Sequence, residues 1–267
     1  MSQDRKVNCC IAGDPGVAYI RLPKCASLSI IDLMKRTLLV SEVNPDKPIH
    51  YQKYLIQKHQ SELDIFFSFT FVRNPWDRVH SSFIQKILPL SKRTEEKQLD
   101  PDFYFKLKRN KILQPLLSIS DLAKRDMVGA YEEFVMFLSQ KNHTDLEKHW
   151  TPLSRFFNPD KVDFIGRLEN FSSDISILYE KIHERYPQYK FLQNNIFPSL
   201  INSTSDSVPY ISHSTYEKIA KIYKDDIKLF NYDQFSNIGC VGDDDKIDFM
   251  FWLSLIHISE PTRLSTI

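Results

Sequence analysis

Two stretches of the chain place cations and small polar residues where a strand passes into a helix. The first is Tyr19-Ile20-Arg21-Leu22-Pro23-Lys24-Cys25-Ala26-Ser27-Leu28-Ser29-Ile30. An apolar run delivers a lysine and small residues onto a helix N-terminus. Such an end presents backbone N–H groups and the positive end of the helix dipole, which together favour an anion. Small side chains let a phosphate approach the backbone, and the lysine adds a mobile cation. The same pattern also describes an ordinary strand-to-helix turn with a surface lysine. The second stretch is Phe69-Thr70-Phe71-Val72-Arg73-Asn74-Pro75-Trp76-Asp77-Arg78-Val79-His80-Ser81. Arg73 leaves the C-terminal end of an apolar strand, the edge at which open α/β sheets bind ligands. Ser81 follows eight residues later, two turns into the next helix, so a guanidinium and a hydroxyl could share one phosphate. The plainer alternative pairs Arg73 with Asp77 at the helix start and leaves Ser81 to packing.

Proton transfer near neutral pH suits a histidine. His50 lies 23 residues before Arg73, between the two stretches. His149 precedes Trp150 and Pro152, which would equally suit a wall that stacks on a sugar. His80 would lie in the helix beside Ser81 and could simply pack. Each of these can instead be a surface or core histidine. Cys25 stands at a helix N-terminus, where thiol pKa values fall; it reads as a small loop residue and not as a nucleophile. Lys106, Lys108, Arg109 and Lys111 form a basic cluster, either a solvated helix face or an attraction for an acidic glycan.

The elements that must hold these residues follow from local pattern. Val7–Ile11 and Val17–Leu22 are apolar runs around Gly13-Asp14-Pro15-Gly16, which predicts a hairpin. A helix is predicted over 29–40, with Ser29-x-x-Asp32 as its capping box. Residues 66–72 carry the strongest strand signal. Asn74-Pro75 then supplies an N-cap and a proline at the first helical position. Residues 89–110 read as an irregular excursion. A helix is predicted over 122–140, a strand over 162–166, and a helix after Asn170 with Ile175, Leu178, Tyr179 and Ile182 on one face. A last helix is predicted from a second capping box, Ser214-x-x-Glu217. Alternating strand and helix predict an α/β fold with a central parallel sheet flanked by helices.

Composition removes several chemistries. The 267 residues carry 35 Lys+Arg against 34 Asp+Glu, so no global charge favours nucleic acid or an anionic membrane. Only six glycines occur; none forms G-x-G and none precedes a lysine. That excludes the dinucleotide fingerprint and the Walker loop. The four cysteines show no C-x-x-C spacing, and neither HExxH nor G-x-S-x-G occurs. No run approaches the length of a membrane span.

Taken together, the glycine-free Pro23-Lys24 loop and Phe71-Val72-Arg73-Asn74-Pro75-x-x-Arg78 with Ser81 resemble the sulfotransferases that use 3′-phosphoadenosine 5′-phosphosulfate (PAPS). The likeness is closest to the carbohydrate branch, the heparan-sulfate 2-O and chondroitin type and its bacterial relatives. His149-Trp150-x-Pro152, Asp163-Phe164-Ile165-Gly166-Arg167-Leu168-Glu169-Asn170-Phe171 and Tyr223-x-x-Asp226-x-x-x-Phe230-x-Tyr232 extend it over about residues 7 to 233. The resemblance implies a P-loop-like three-layer fold, PAPS as co-substrate with no metal, and a carbohydrate or other hydroxyl acceptor. It makes Lys24, Cys25, Ala26, Ser27, Leu28 and Ser29 the 5′-phosphosulfate loop, with Lys24 reaching toward the leaving oxygen. Arg73 and Ser81 would hold the 3′-phosphate. Relatives place a catalytic histidine between the two loops, which makes His50 the first choice of base and His149 the second. Leu28 stands where the family usually has Thr, and Ser27 where Gly is common, so one hydroxyl contact passes to the backbone. Asn202-Ser203 resembles a later motif without the basic residues that often follow it. Two other readings remain open here: a non-catalytic nucleotide- or glycan-binding protein of the same fold, and a nucleotide kinase of related architecture, against which the missing Walker glycines argue.

The sequence also sets expectations for organisation. Residues 1–233 form the catalytic domain and residues 234–267 a tail, of which 253–267 resembles translated adapter read-through more than a protein element. As written the chain begins in the cytoplasm. Animal relatives carry an N-terminal Golgi anchor, which would put it in the Golgi lumen if such a segment precedes residue 1.

Overall fold

The computed structural model describes residues 7–13, 16–37, 50–54, 64–91, 109–187, 210–232 and 246–248. The chain falls into two compact units. One comprises Met1–Arg78, Asn142–Ser203 and Tyr223–Tyr232; the other comprises Val79–Lys141, Thr204–Ile222 and Asp233–Ile267.

The first unit is built on a five-stranded sheet. Strand β1 (Val7–Gly13) pairs antiparallel with β2 (Gly16–Arg21), Gly13 opposite Gly16, which is the hairpin the turn residues predict. Helix α1 (Ser27–Thr37) follows β2. Strand β3 (His50–Tyr54), which the local pattern does not predict, joins the far edge of β1 antiparallel. Strand β4 (Phe67–Val72) and strand β5 (Phe164–Arg167) add parallel on the other side of β2. The order is β3-β1-β2-β4-β5. All strands but β1 therefore point the same way, and the C-terminal ends of β2, β4 and β5 share one edge.

Strand β4 is buried throughout. Its alternation explains both faces. Phe67, Phe69 and Phe71 join one apolar cluster with Tyr19, Ile30 and Met34 of the α1 side and Phe171, Ile175 and Leu178 of the helix Phe171–Arg185. Tyr19 stacks on Phe69 at 5.1 Å, and Phe71 meets Phe171 edge-on at 5.3 Å. On the opposite face Ser68 Oγ donates to Asp163 at 2.9 Å and Thr70 Oγ1 to the Ile20 carbonyl at 2.8 Å, so the buried hydroxyls are satisfied. Gly166 lies against the Phe71 ring, where any β-carbon would clash.

Helix α2 (Pro75–Ser82) starts at the Asn74 cap and continues through a π-turn at Phe83–Ile87 into Leu88–Ser91. In the second unit the helix predicted over 122–140 runs over Met127–Ser139, and a separate helix, Pro115–Leu122, precedes it. The break is a cap: the Asp126 carboxylate accepts the Gly129 N–H at 2.8 Å. The last predicted helix is two, His213–Ile222 and Lys224–Leu229. Its cap is not Ser214. Ser212 Oγ accepts the Thr215 N–H at 3.3 Å, while Ser214 takes Lys218 Nζ at 2.7 Å. Strands Tyr210–Ser212 and Lys246–Asp248 pair antiparallel, so part of the expected tail forms a ribbon in this unit. Residues 92–108, with Lys106 and Lys108 of the basic cluster, and 249–267 lie outside the described residues, as does Asn202-Ser203. Among the described residues no helix is long and apolar enough to cross a membrane.

Candidate active site

The β2–α1 loop takes a shape that glycine usually supplies. Lys24 and Ala26 have φ of 67° and 52°. This left-handed region costs a residue with a β-carbon roughly 1 kcal/mol or more, and it persists where the surroundings determine it. The first α-helical bond runs from the Ile30 N–H to the Ala26 carbonyl at 3.1 Å. Ala26 is therefore the N-cap, and Ser29 lies inside the first turn, not at the cap as the predicted box required. The reason is the Ser27 hydroxyl, which donates to the Leu22 carbonyl at 2.8 Å and closes the loop two residues earlier. The N–H groups of Ser27, Leu28 and Ser29 thus precede the first helical bond, at the positive end of α1. Leu28 is 51% exposed, whereas Ser29 and Cys25 are buried. Burial pushes the Cys25 thiol up to about 12, overriding the helix-terminus effect. Its Sγ–H faces the Pro23 carbonyl at 3.6 Å, consistent with a small loop residue.

At the β4 edge, Asn74 caps α2. Its Oδ1 accepts the Trp76 N–H at 3.0 Å and its carbonyl the Arg78 N–H at 2.9 Å. The Asn74 N–H itself donates to Glu169 at 2.6 Å, and Glu169 also accepts the Tyr232 hydroxyl at 3.2 Å. Arg167 donates to the Phe230 carbonyl at 2.7 Å. Two of the later sequence motifs therefore meet directly behind Arg73. Arg73 is half-buried. Ser81 and His80 are buried on α2, in the part of the helix that belongs to the second unit.

Asp77 does not behave as the helix-start ion-pair partner of Arg73. Burial pushes its carboxyl from 3.8 up to about 8, Arg73 pulls it down, and Glu169 pushes it up. The folded pKa lies above the unfolded one, so the native state holds a proton that the unfolded chain has released. That stabilisation is complete below about pH 4 and is lost as pH rises through 8. Asp77→Asn keeps the shape of the protonated acid without its titration. The melting temperature of the variant minus that of the wild type should therefore increase from about pH 4 to about pH 8 and level off above it. A difference that is flat or falls with pH would show that Asp77 is ionised in the fold.

Arg78 joins the β2–α1 loop to the histidine segment. Its Nε donates to the Pro23 carbonyl at 3.1 Å, and its NH2 reaches the Lys148 carbonyl at 3.5 Å, a long bond. Lys24 and His149 are each one residue along the chain from those two carbonyls. The segment that carries His149 is a tight turn. The Glu147 carbonyl accepts the N–H groups of Trp150 and Thr151 at 3.1 and 3.0 Å, and the Thr151 hydroxyl contacts the Leu146 carbonyl at 3.1 Å. Its far end is held by the closing motif. Asp226 accepts the N–H groups of Leu153 and Ser154 at 2.6 and 2.8 Å, and the Tyr223 hydroxyl donates to the Trp150 carbonyl at 2.6 Å. Within the turn, Glu147 Oε2 accepts the His149 backbone N–H at 2.8 Å and lies 2.6 Å from the His149 ring Nδ1. Trp150 is fully buried and Pro152 is buried too, so these two residues pack and do not form a sugar-stacking wall.

His50 is placed elsewhere. It opens β3 opposite Ile11, which is level with Ala18 of β2 and Ser68 of β4. Arg21, where the β2–α1 loop begins, is three residues further along, about 10 Å at strand spacing. The structure thus brings Lys24–Ser29 and His149 to the two sides of one arginine and sets His50 further down the sheet. Sequence reasoning missed Arg78, Glu147, Glu169 and Asp226 as individual residues. For Arg78, Glu169 and Asp226 the signal was present only as letters in motifs whose partners lie 55 to 95 residues away, and Glu147, two residues before His149, stood outside those motifs.

No curated protein and no solved structure matches the chain at a significant level. The family model described as the sulfotransferase family matches residues 7–233, which takes in both strand-to-helix loops, the histidine turn and the closing clamp at Tyr223, Asp226 and Tyr232. A match over that much of the sequence, on a mixed sheet whose β2–α1 loop and Arg73 leave neighbouring parallel strands, means that the chain belongs to the sulfotransferase family.

Proposed function

We propose that the chain transfers a sulfuryl group from PAPS to a hydroxyl of a carbohydrate by in-line displacement. A bond forms between the acceptor oxygen and sulfur while the sulfur–oxygen bond to the 5′-phosphate breaks. Adenosine 3′,5′-bisphosphate leaves, and the hydroxyl proton passes to a base. The observation that carries this reading is the glycine-free loop. Lys24 and Ala26 hold left-handed backbone next to an α1 N-terminus whose first-turn N–H groups precede any helical bond. Adjacent main-chain dipoles of this kind form an anion cradle, and Lys24 adds the cation that meets negative charge developing on the leaving oxygen. Arg73, at the end of the neighbouring parallel strand, suits the 3′-phosphate, with Ser81 the residue the family resemblance adds to that role. For the base, the position of His149 beside the Arg78-bound Lys148 carbonyl supports it over His50.

The reading separates nucleotides by where their phosphates sit. Adenosine 3′,5′-bisphosphate at a hundredfold excess over Kd should stabilise the fold by about 2.7 kcal/mol, or roughly 5–10 °C for a chain of this size. ATP, which has no 3′-phosphate, should give much less. Equal shifts from both would remove the separate 3′-phosphate site. An acceptor screen with PAPS, read by mass spectrometry for added sulfate, then identifies the hydroxyl.

A further inference from the structure

We infer that Asp77 is a proton-carrying part of the phosphate site at Arg73: it is protonated when the 3′-phosphate of the nucleotide binds, and its O–H donates to a phosphate oxygen. The inference deepens the reading above and rests on it. Asp77 is the third helical residue of α2, counted from the Asn74 cap. An acid at that position ordinarily turns back to the backbone N–H of the cap residue. Here that N–H is already taken. Glu169, from the turn after β5, accepts it at 2.6 Å and accepts the Tyr232 hydroxyl at 3.2 Å. The Asp77 carboxyl is thereby released from capping, yet the residue is only 3% exposed. Among the described residues neither this carboxyl nor the Arg73 guanidinium makes a hydrogen bond or an ion pair.

Two charges act on the Asp77 carboxyl. Arg73, at the end of β4, favours its anion, and Glu169 disfavours it. Burial outweighs Arg73 and pushes the carboxyl up to about 8, so near neutral pH the acid is protonated. That state suits a phosphate in two ways. The Arg73 charge is left uncancelled, and a protonated acid has an O–H to give, which a carboxylate lacks. Once ionised, Asp77 would offset Arg73 and set a second anion beside the phosphate. Cys25 of the β2–α1 loop also faces Arg73 and Glu169, and Tyr232 of the closing segment faces Glu169 and Arg167. Burial pushes the Cys25 thiol up to about 12 and the Tyr232 hydroxyl above its ordinary range, so both stay neutral through pH 9. On α2 itself Arg78 and His80 follow Asp77, and substitution of Asp77 alone separates its proton from theirs.

The test titrates adenosine 3′,5′-bisphosphate and adenosine 5′-phosphosulfate into the full chain, Asp77→Asn and Asp77→Ala by calorimetry. Each titration is run at several pH values between about 6.5 and 9, in two buffers of different ionisation heat, which counts protons taken up on binding. Wild-type affinity for the bisphosphate should be about tenfold weaker at pH 9 than at pH 7, because binding needs a proton that the free protein releases through 8. Near pH 9 about one proton should be taken up per nucleotide. Asp77→Asn has an amide N–H to donate in place of the acid. It should bind within about threefold of wild type at pH 7 and lose both the fall and the proton uptake. Asp77→Ala, with no donor, should bind more weakly than wild type at pH 7 and hold that affinity to pH 9. Adenosine 5′-phosphosulfate, which lacks the 3′-phosphate, should bind alike at both pH values. A wild-type affinity that is flat or rises from pH 7 to pH 9 would overturn the inference. So would a fall that persists in Asp77→Asn, or one that appears equally with the phosphosulfate. In each of those cases the nucleotide still binds and the reading of a PAPS site stands. If the bisphosphate binds at no pH, that reading fails and takes the inference with it.

Discussion

Lys24→Ala should lower kcat for PAPS-dependent sulfation by about 100- to 1000-fold, the loss expected when one donor to developing charge is removed. The affinity for adenosine 3′,5′-bisphosphate should change by less than about fivefold, because the proposed role of Lys24 is on charge that appears at the leaving oxygen in the transition state. Alanine is the informative replacement at this position. Lys24 holds φ of 67°, and alanine must hold the same strained backbone, so the loop keeps its N–H groups in place while the cation goes. Glycine would relax the backbone as well and mix two effects. Single-turnover rates and nucleotide titration on the same preparation measure the two quantities. A Lys24→Ala variant that binds the nucleotide poorly yet turns over at a near-normal rate would make Lys24 a binding residue and move the catalytic cation elsewhere.

Arg73→Ala should do the reverse. A charge-assisted contact to a non-reacting phosphate is worth about 1.5–3 kcal/mol, so affinity for adenosine 3′,5′-bisphosphate should fall roughly 10- to 100-fold. Saturated kcat should stay within a small factor of wild type, since a contact equal in ground and transition states changes KM and not turnover. The variant should fold, because the α2 start is held by Asn74 and by the Glu169 bond to its N–H. Binding of adenosine 5′-phosphosulfate, which lacks the 3′-phosphate, serves as the internal control. Its affinity should be nearly unaffected by Arg73→Ala. If both nucleotides lose affinity alike, Arg73 does not read the 3′-phosphate, and its role is to shape the edge of β4.

Much of the frame was legible in the residues because it is local. The aromatic alternation of 67–72 marks a buried strand, and Asn74-Pro75 marks a helix start. The hairpin around Gly13 and Gly16, and the apolar faces of α1 and Phe171–Arg185, follow from spacing alone. A strand that leads through small residues into a helix places Lys24 and Arg73 on one sheet edge once the strands are parallel. The caps were less legible. Ser29 and Ser214 fit the capping pattern, yet the helices start at Ala26, where the Ser27 hydroxyl closes the loop onto Leu22, and at Ser212, whose hydroxyl accepts the Thr215 N–H, since the start is set by which side chain reaches which backbone group. Strand β3 was invisible because His50–Tyr54 has neither strict alternation nor an apolar run; it exists as the partner of β1.

By itself the sequence determined which groups are available to this protein: a glycine-free strand-to-helix loop with Lys24, an arginine at a parallel strand end, and two candidate histidines. The tertiary structure decided how those groups are arranged. Arg78 ties Pro23 to Lys148 across 55 and 70 residues, Asp226 holds Leu153 across 73, and the β1–β3 register sets His50 level with Ala18 and not with the loop. Such bonds form between groups whose desolvation must be matched in the folded chain, and no spacing rule links their positions beforehand. Even the Glu147–His149 pair, two residues apart, depends on a turn that the distant Tyr223 and Asp226 hold shut.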